Sequence, residues 1–243
     1  MTSIRLAYGG PPEALAKGLT GTPEPSLLVS YVYLDMFLKQ RHRYNFRDWV
    51  MDSGAFSAFN SGTEIKLQDY IDVCKKLKAT DPKLTHVFSL DVIGDWRGTL
   101  KNTEEMWRQG VEAIPTFHFG TPEKELYSLA RDYPRIALGG ISGKHGKEWY
   151  RFVGQCFARV WPKWIHGFGV GGEKEVFFVP WSSVDATNWE LGPCKFGRWK
   201  TFGGLSVRGG KHNLRVEVEW WLDFERRAQY RWRREMETVR KLK

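Results

Sequence analysis

Short apolar runs alternate with amphipathic stretches along most of this chain. The runs lie at residues 26–31, 49–52, 87–91, 113–119, 135–140, 164–169 and 177–185, each of strand length. A continuous apolar run bounded by turn residues predicts a strand buried on both faces, the signature of a parallel sheet. Between the runs the period changes. Ile65, Leu67, Tyr70, Ile71, Val73, Cys74 and Leu77 recur at the spacing of one helical face, with Lys and Asp opposite. Residues 32–41, 103–110 and 147–161 read as further helices, and Thr121-Pro122-Glu123 as a helix start with Pro at the first helical position. Strand and helix in alternation, joined by short connections, predict an α/β fold. The number of strands favours a TIM-like (β/α)8 barrel over an open sheet, with the eighth strand expected near residues 201–207. A long helix is expected over 216–243. The chain therefore reads as one domain, a catalytic barrel over 1–210 with a basic C-terminal helical extension, 211–243, packed on it.

Charge adds a partner to this picture. The 243 residues carry 37 Lys and Arg against 28 Asp and Glu, a net charge of +9. Clustered cations gain affinity for polyanions by displacing counterions from phosphates. Lys195, Arg198, Lys200, Arg208, Lys211 and Arg215 fall in a stretch without a single acid, interleaved with Phe196, Trp199 and Phe202. This is the expected nucleic-acid path. Arg226, Arg227, Arg231, Arg233, Arg234 and Arg240 follow on the last helix, either meeting phosphates or forming a solvated face. No signal-like segment precedes Pro11-Pro12 and no apolar run approaches the ~20 residues of a membrane span, so an intracellular, cytoplasmic protein without membrane contact is expected. Cys74, Cys156 and Cys194 are too scattered for a disulfide framework, and Cys194 with His212 falls short of a metal site. Neither metal nor cofactor is expected.

Three of the apolar runs end on aspartate: Asp52, Asp91 and Asp185. Each alone suits a turn or a helix cap. Three together place carboxylates at the C-terminal ends of parallel strands, where barrel enzymes keep their chemistry. Such a set can divide into a nucleophile, a proton-transfer group and a substrate reader.

The segments around them resemble a known family. Met51-Asp-Ser-Gly-Ala-Phe56 is similar to the Asp-Ser-Gly-Gly-Tyr/Phe motif of the queuine and archaeosine tRNA-guanine transglycosylases, which exchange guanine for a 7-deazaguanine base. Leu90-Asp91, Ile136-Ala-Leu-Gly-Gly-Ile141, His166-Gly-Phe-Gly169 and Val184-Asp185 resemble the later motifs of that family, in the same order. The resemblance implies that Asp185 is the nucleophile, forming a covalent aspartyl-sugar intermediate, and that Asp52 is the general acid and base. It further implies that Asp91 reads the guanine edge and Phe56 stacks on the base. Ser53, Gly54, His118, Gly139, Gly140 and Gly169 complete the base pocket. The chain lacks the clustered Cys-x-Cys-x-x-Cys with downstream His of the tRNA enzymes, and carries Ala55 and Ser57 where they have Gly and Gln. These departures resemble the DNA-modifying branch, the DpdA-type DNA 7-deazaguanine transglycosylases of phages and bacterial islands.

The implied function is exchange of guanine in DNA for 7-cyano-7-deazaguanine or a relative, with DNA and the free base as partners. A tRNA substrate is the alternative within the family. Two readings outside it stay open: a barrel using Gly139-Gly140 and residues 169–172 to hold a small phosphorylated substrate, and a non-catalytic nucleic-acid-binding protein.

Overall fold

The computed structural model describes residues 2–9, 24–144, 146–190, 192, 198–200, 206–208, 214–235 and 237. Eight strands, β1 (Ser3–Tyr8), β2 (Ser26–Ser30), β3 (Trp49–Asp52), β4 (Leu84–Val87), β5 (Thr116–His118), β6 (Arg135–Gly139), β7 (Trp164–Gly167) and β8 (Ser183–Ala186), form one sheet in the order 4-3-2-1-8-7-6-5. Every pairing in it is parallel. Helices α1 (Leu34–Gln40), α2 (Ala55–Ser61), α3 (Leu67–Thr80), α4 (Trp96–Arg108), α5 (Glu123–Asp132), α6 (Lys147–Val160) and α7 (Glu173–Val176) fill the connections. The sheet curls until its outermost strands approach. Ile114 N donates to Val87 O and Ser89 N to Ile114 O, both at 2.9 Å, around a single parallel bridge between Phe88 and Ile114.

The alternation along each strand sorts its residues into two layers. Ala7, Leu28, Val50, Phe88, Ile114 and Ala137 form a compact inner cluster, while their neighbours Leu6, Leu27, Trp49, Met51, Val87 and Ile136 join the larger core under the helices. Helix faces follow the expected period: Tyr70, Ile71, Cys74 and Leu77 on α3, and Trp149, Val153, Cys156 and Phe157 on α6, are buried. Burial pushes the Cys74 and Cys156 thiols up to about 12, which leaves both as inert packing groups. Cys194 and His212 lie outside the described residues. Among the described residues no helix is long and apolar enough to cross a membrane.

Two sequence expectations are corrected. The remaining strand of the sheet is β1, near the N-terminus, hydrogen-bonded between β2 and β8. Residues 206–208 instead pair antiparallel with 198–200 in a separate two-stranded ribbon. β1 escapes notice because Arg5 interrupts its apolar run. In the fold Arg5 is buried, its Nη1 donating to Asp48 Oδ1 at 2.6 Å and its Nε to Ser183 Oγ at 3.2 Å. The run over 177–185 is also shorter than expected, with only Ser183–Ala186 extended, because Glu173–Val176 is helical and a turn follows it.

Arg5 makes Asp48 indispensable. Burial alone raises the Asp48 carboxyl, but the Arg5 guanidinium, Ser26 and Arg47 together hold it below the ordinary carboxylate range. Its contribution to stability is therefore complete above the unfolded-state pKa and disappears as pH falls through the lowered folded value. Asp48→Ala leaves a buried guanidinium without its counter-charge and should destabilise the fold by about 3 kcal/mol at neutral pH, read from the denaturant midpoint. The deficit should shrink in strong acid.

The last described helix, α8 (Leu214–Arg231), packs along β1 and against the ribbon strand at 198–200. Near its middle Trp221 stands close to Gly171 and Ala186. Toward its end Glu225 Oε2 accepts from Ile4 N at 3.2 Å and Gln229 Nε2 donates to Thr2 O at 2.8 Å. It thus runs from the C-terminal edge of the sheet back to the N-terminal edge, as the helix following β8 must in a β/α repeat. Arg226 and Arg227 pair with Asp223, and Arg227 also with Glu173. This direction carries Arg231, at its end, toward the edge of the sheet opposite the strand-end aspartates.

Candidate active site

Because all eight strands are parallel, their C-terminal ends share one edge, and the three predicted aspartates meet there. Asp52 is the last residue of β3, Asp185 the third of β8, and Asp91 follows β4 by four positions. Their closeness is visible in Asp52. Burial pushes its carboxyl up, the Asp91 charge adds to this, and the Asp185 charge adds less. The Gly54 amide, donating to Asp52 Oδ2 at 3.1 Å, and the Ser53 amide oppose the rise only in part. The result is a carboxyl that titrates at about 7, placed to give up or take a proton under neutral conditions.

Asp185 has different surroundings. It is buried, and its Oδ1 accepts from Gly169 N at 2.9 Å. His166 Nε2 stands 3.3 Å from the same oxygen. Gly169 reaches it through a turn with φ +67°, and an added Cβ there would lie 2.5 Å from Ser142 Oγ, so a side chain is excluded twice over.

Asp91 is held on one side only. His118, the last residue of β5, places Nε2 3.2 Å from Asp91 Oδ2, while Asp91 Oδ1 is buried without a partner. His118, expected in the base pocket, thus lies against Asp91. Ser30 Oγ at the end of β2 and Thr116 Oγ1 on β5 are likewise buried and unpartnered. Ser30 sits beside Asp52 in the strand register. A buried polar atom left without a partner costs about 1–3 kcal/mol, so Asp91 Oδ1 and Ser30 Oγ are candidates for contact with a polar ligand.

The remaining expected residues divide. Ser53 is buried, its Oγ accepting weakly from Ala55 N at 3.4 Å, and Gly54 caps α2 with φ +73°. Phe56, in the first turn of α2, is 69% exposed, with Phe59 on the same helix, Val32 in the 3-10 turn after β2 and Val92 after β4 also exposed. An apolar rim therefore borders the carboxylates, and Phe56 faces solvent rather than the buried floor. Gly139 ends β6, where a Cβ would come within 2.6 Å of Thr116 Cγ2 and 2.9 Å of His118 Cδ2, so packing against β5 already demands glycine. Gly140 turns away from the strand with φ +67°.

Of the basic stretch, Arg198 is exposed at the start of the ribbon, and Lys200 and Arg208 belong to its two strands. Arg215 pairs with Glu219 one turn further along α8. Lys195 and Lys211 lie outside the described residues. His166, Ser30 and Thr116 carry no role in the sequence reading, and only strand alternation could have singled them out as inward-facing. A separate cleft between α4 and α5, lined by Trp96, Glu104, Glu125, Asp132 and Tyr133, contains none of the three aspartates. Among the described residues no group of three or more His, Cys, Asp or Glu is arranged to hold a metal ion.

Comparison with protein-family models, with curated proteins and with solved structures finds no match, so the chemistry of these residues has to carry the functional reading.

Proposed function

We propose that this chain is a closed (β/α)8-barrel transglycosylase that exchanges guanine in DNA for a 7-deazaguanine base. The observation that carries the reading is the convergence of Asp52, Asp91 and Asp185 on one edge, with Asp52 raised to about 7. The Phe88–Ile114 bridge between the outer strands supports closure of the barrel. In this reaction Asp185 attacks the anomeric carbon as guanine leaves, and Asp52 delivers a proton to the departing ring. The incoming base then displaces Asp185 while Asp52 takes its proton. Two carboxyls serving one double displacement must titrate apart, because one attacks ionised and the other shuttles a proton. A base within a duplex has to be extruded to reach such a recessed edge, unless the substrate is single-stranded.

Asp91 suits the reader's role: His118 fixes one of its oxygens, and the unpartnered Oδ1 is free to accept from a ring N–H or exocyclic amine of guanine. Asp91→Asn presents an amide donor to those donors. It should weaken binding of the free 7-deazaguanine by about 1–3 kcal/mol while leaving DNA affinity nearly unchanged, as measured by calorimetric titration of each ligand. Equal base affinity in mutant and wild type would remove Asp91 from this role.

The direct test incubates the protein with DNA or with tRNA in the presence of 7-cyano-7-deazaguanine, then analyses digested nucleosides by mass spectrometry. Modified deoxyguanosine is the expected product. Modification of tRNA alone would transfer the reading to the tRNA enzymes, and modification of neither would refute base exchange.

A further inference from the structure

His166 has no role in the chemistry above, yet it occupies an unusual place. It is fully buried on β7, opposite Ala137 and Ser183 in the strand registers, with its ring centroid 4.6 Å from Phe88 and 4.7 Å from Phe168. Among the described residues neither ring nitrogen completes a hydrogen bond, although Nε2 lies 3.3 Å from Asp185 Oδ1. A box between two phenylalanines is better filled by an apolar side chain, so an imidazole here needs another reason. The charged groups that act on it are Asp185 from β8 and, more weakly, Arg5 from β1; the residue after β4, Phe88, and Ala137 of β6 are apolar. Burial lowers its pKa and outweighs Asp185, so the ring is neutral, with one N–H. The nitrogen facing the carboxylate is the one suited to carry it.

The two oxygens of Asp185 are also unequal. Oδ1 receives the Gly169 amide and faces His166, whereas no hydrogen bond from the described residues reaches Oδ2. We propose that His166 is a positioning residue of the exchange reaction: with the Gly169 amide it holds Oδ1 of Asp185, so that Oδ2 bonds to the sugar and Oδ1 faces fixed donors when the charge returns. This rests on the transglycosylase reading. In the first step an Oδ2 lone pair forms the bond to the anomeric carbon, the bond to guanine breaks with its electron pair, and the Asp52 proton ends on guanine. In the second step the incoming ring nitrogen bonds to the same carbon. The carbon–Oδ2 bond breaks, its electron pair re-forms the carboxylate, and the ring proton passes to Asp52.

The consequence is an asymmetry between the steps. Donors on Oδ1 stabilise the free carboxylate more than the ester, whose carbonyl oxygen is a weaker acceptor. Removing one should therefore slow breakage of the ester and leave its formation unchanged or faster. His166→Phe keeps a flat ring in the aromatic box and deletes the N–H. In rapid-mixing experiments with guanine-containing DNA it should release guanine within about twofold of the wild-type rate, while attack by added 7-cyano-7-deazaguanine on the adduct slows by about tenfold and the adduct accumulates. Equal slowing of both steps would mean a packing role and overturn the proposal, as would two unaltered steps. Nitrogen-15 NMR of the wild type adds a measurement independent of turnover and of the variant's folding. It should show a neutral His166 ring protonated at Nε2 at pH 7, and a ring protonated at Nδ1 would overturn the proposal. A wild type that forms no adduct overturns the exchange reaction and this role with it. Normal wild-type exchange beside an unaltered His166→Phe overturns the role alone.

Discussion

Asp185→Asn should abolish base exchange while leaving nucleic-acid binding in place. The amide has nearly the shape of the carboxylate and can still accept from the Gly169 N–H, so the turn that holds position 185 survives. What disappears is the charge and lone pair that form the bond to the sugar. Loss of a covalent nucleophile typically costs four or more orders of magnitude in rate, and about that loss is expected in exchange measured with radiolabelled base. Denatured wild type should carry a sugar adduct on the peptide containing Asp185, and the variant none. An adduct on any other residue would dismiss the assignment.

Asp52→Asn tests the proton shuttle and has a second, opposite effect on stability. With Asp52 titrating at about 7, release of guanine should require its protonated form and fall roughly tenfold per pH unit above that point. The variant should be slower by about 10²–10³-fold and lose this inflection, as measured by guanine release across pH 5.5 to 9. An inflection that persists in the variant would belong to another group. For stability the sign runs the other way from a salt-bridged carboxylate. A folded-state pKa above the unfolded value means that the native state binds the proton more tightly, so stability falls as pH rises from about 4 to about 7. Removing the ionisable group should therefore stabilise the protein above pH 7, by up to about 4 kcal/mol for a rise from 3.8 to about 7, and change little at pH 4. A higher melting temperature in an inactive variant is the signature of an acid kept in the site for its chemistry.

Much of the architecture is legible in local pattern, because the backbone's two periods are local properties. The apolar runs of β2, β3 and β6 and the helical face of α3 stand out wherever burial on both sides, or on one face, imposes a uniform choice of residue. Asp52, Asp91 and Asp185 are visible for the same reason, as acids interrupting apolar runs. β1 is not legible, because Arg5 looks like a surface residue until Asp48, just before β3, neutralises it. The eighth strand expected near 201–207 overlaps the described ribbon only at 206–207, which pair with 198–200 rather than with the sheet, because a strand's pattern carries no information about its partner.

The site divides along the same line. Which residue types stand at the strand ends, and in what order, follows from the chain alone, and the roles proposed for them start from its resemblance to the transglycosylases. Only the tertiary structure decided how they differ: Asp52 is raised by burial and by the nearby Asp91, Asp185 is anchored through one oxygen beside His166, and Asp91 is tied by His118 with one oxygen left unpaired. It also decided that the arginines late in α8 lie away from these acids, since the direction of a helix across a sheet follows from what its apolar face covers. Titration, hydrogen-bond partners and orientation all depend on groups distant in the chain, and a linear pattern does not encode those distances.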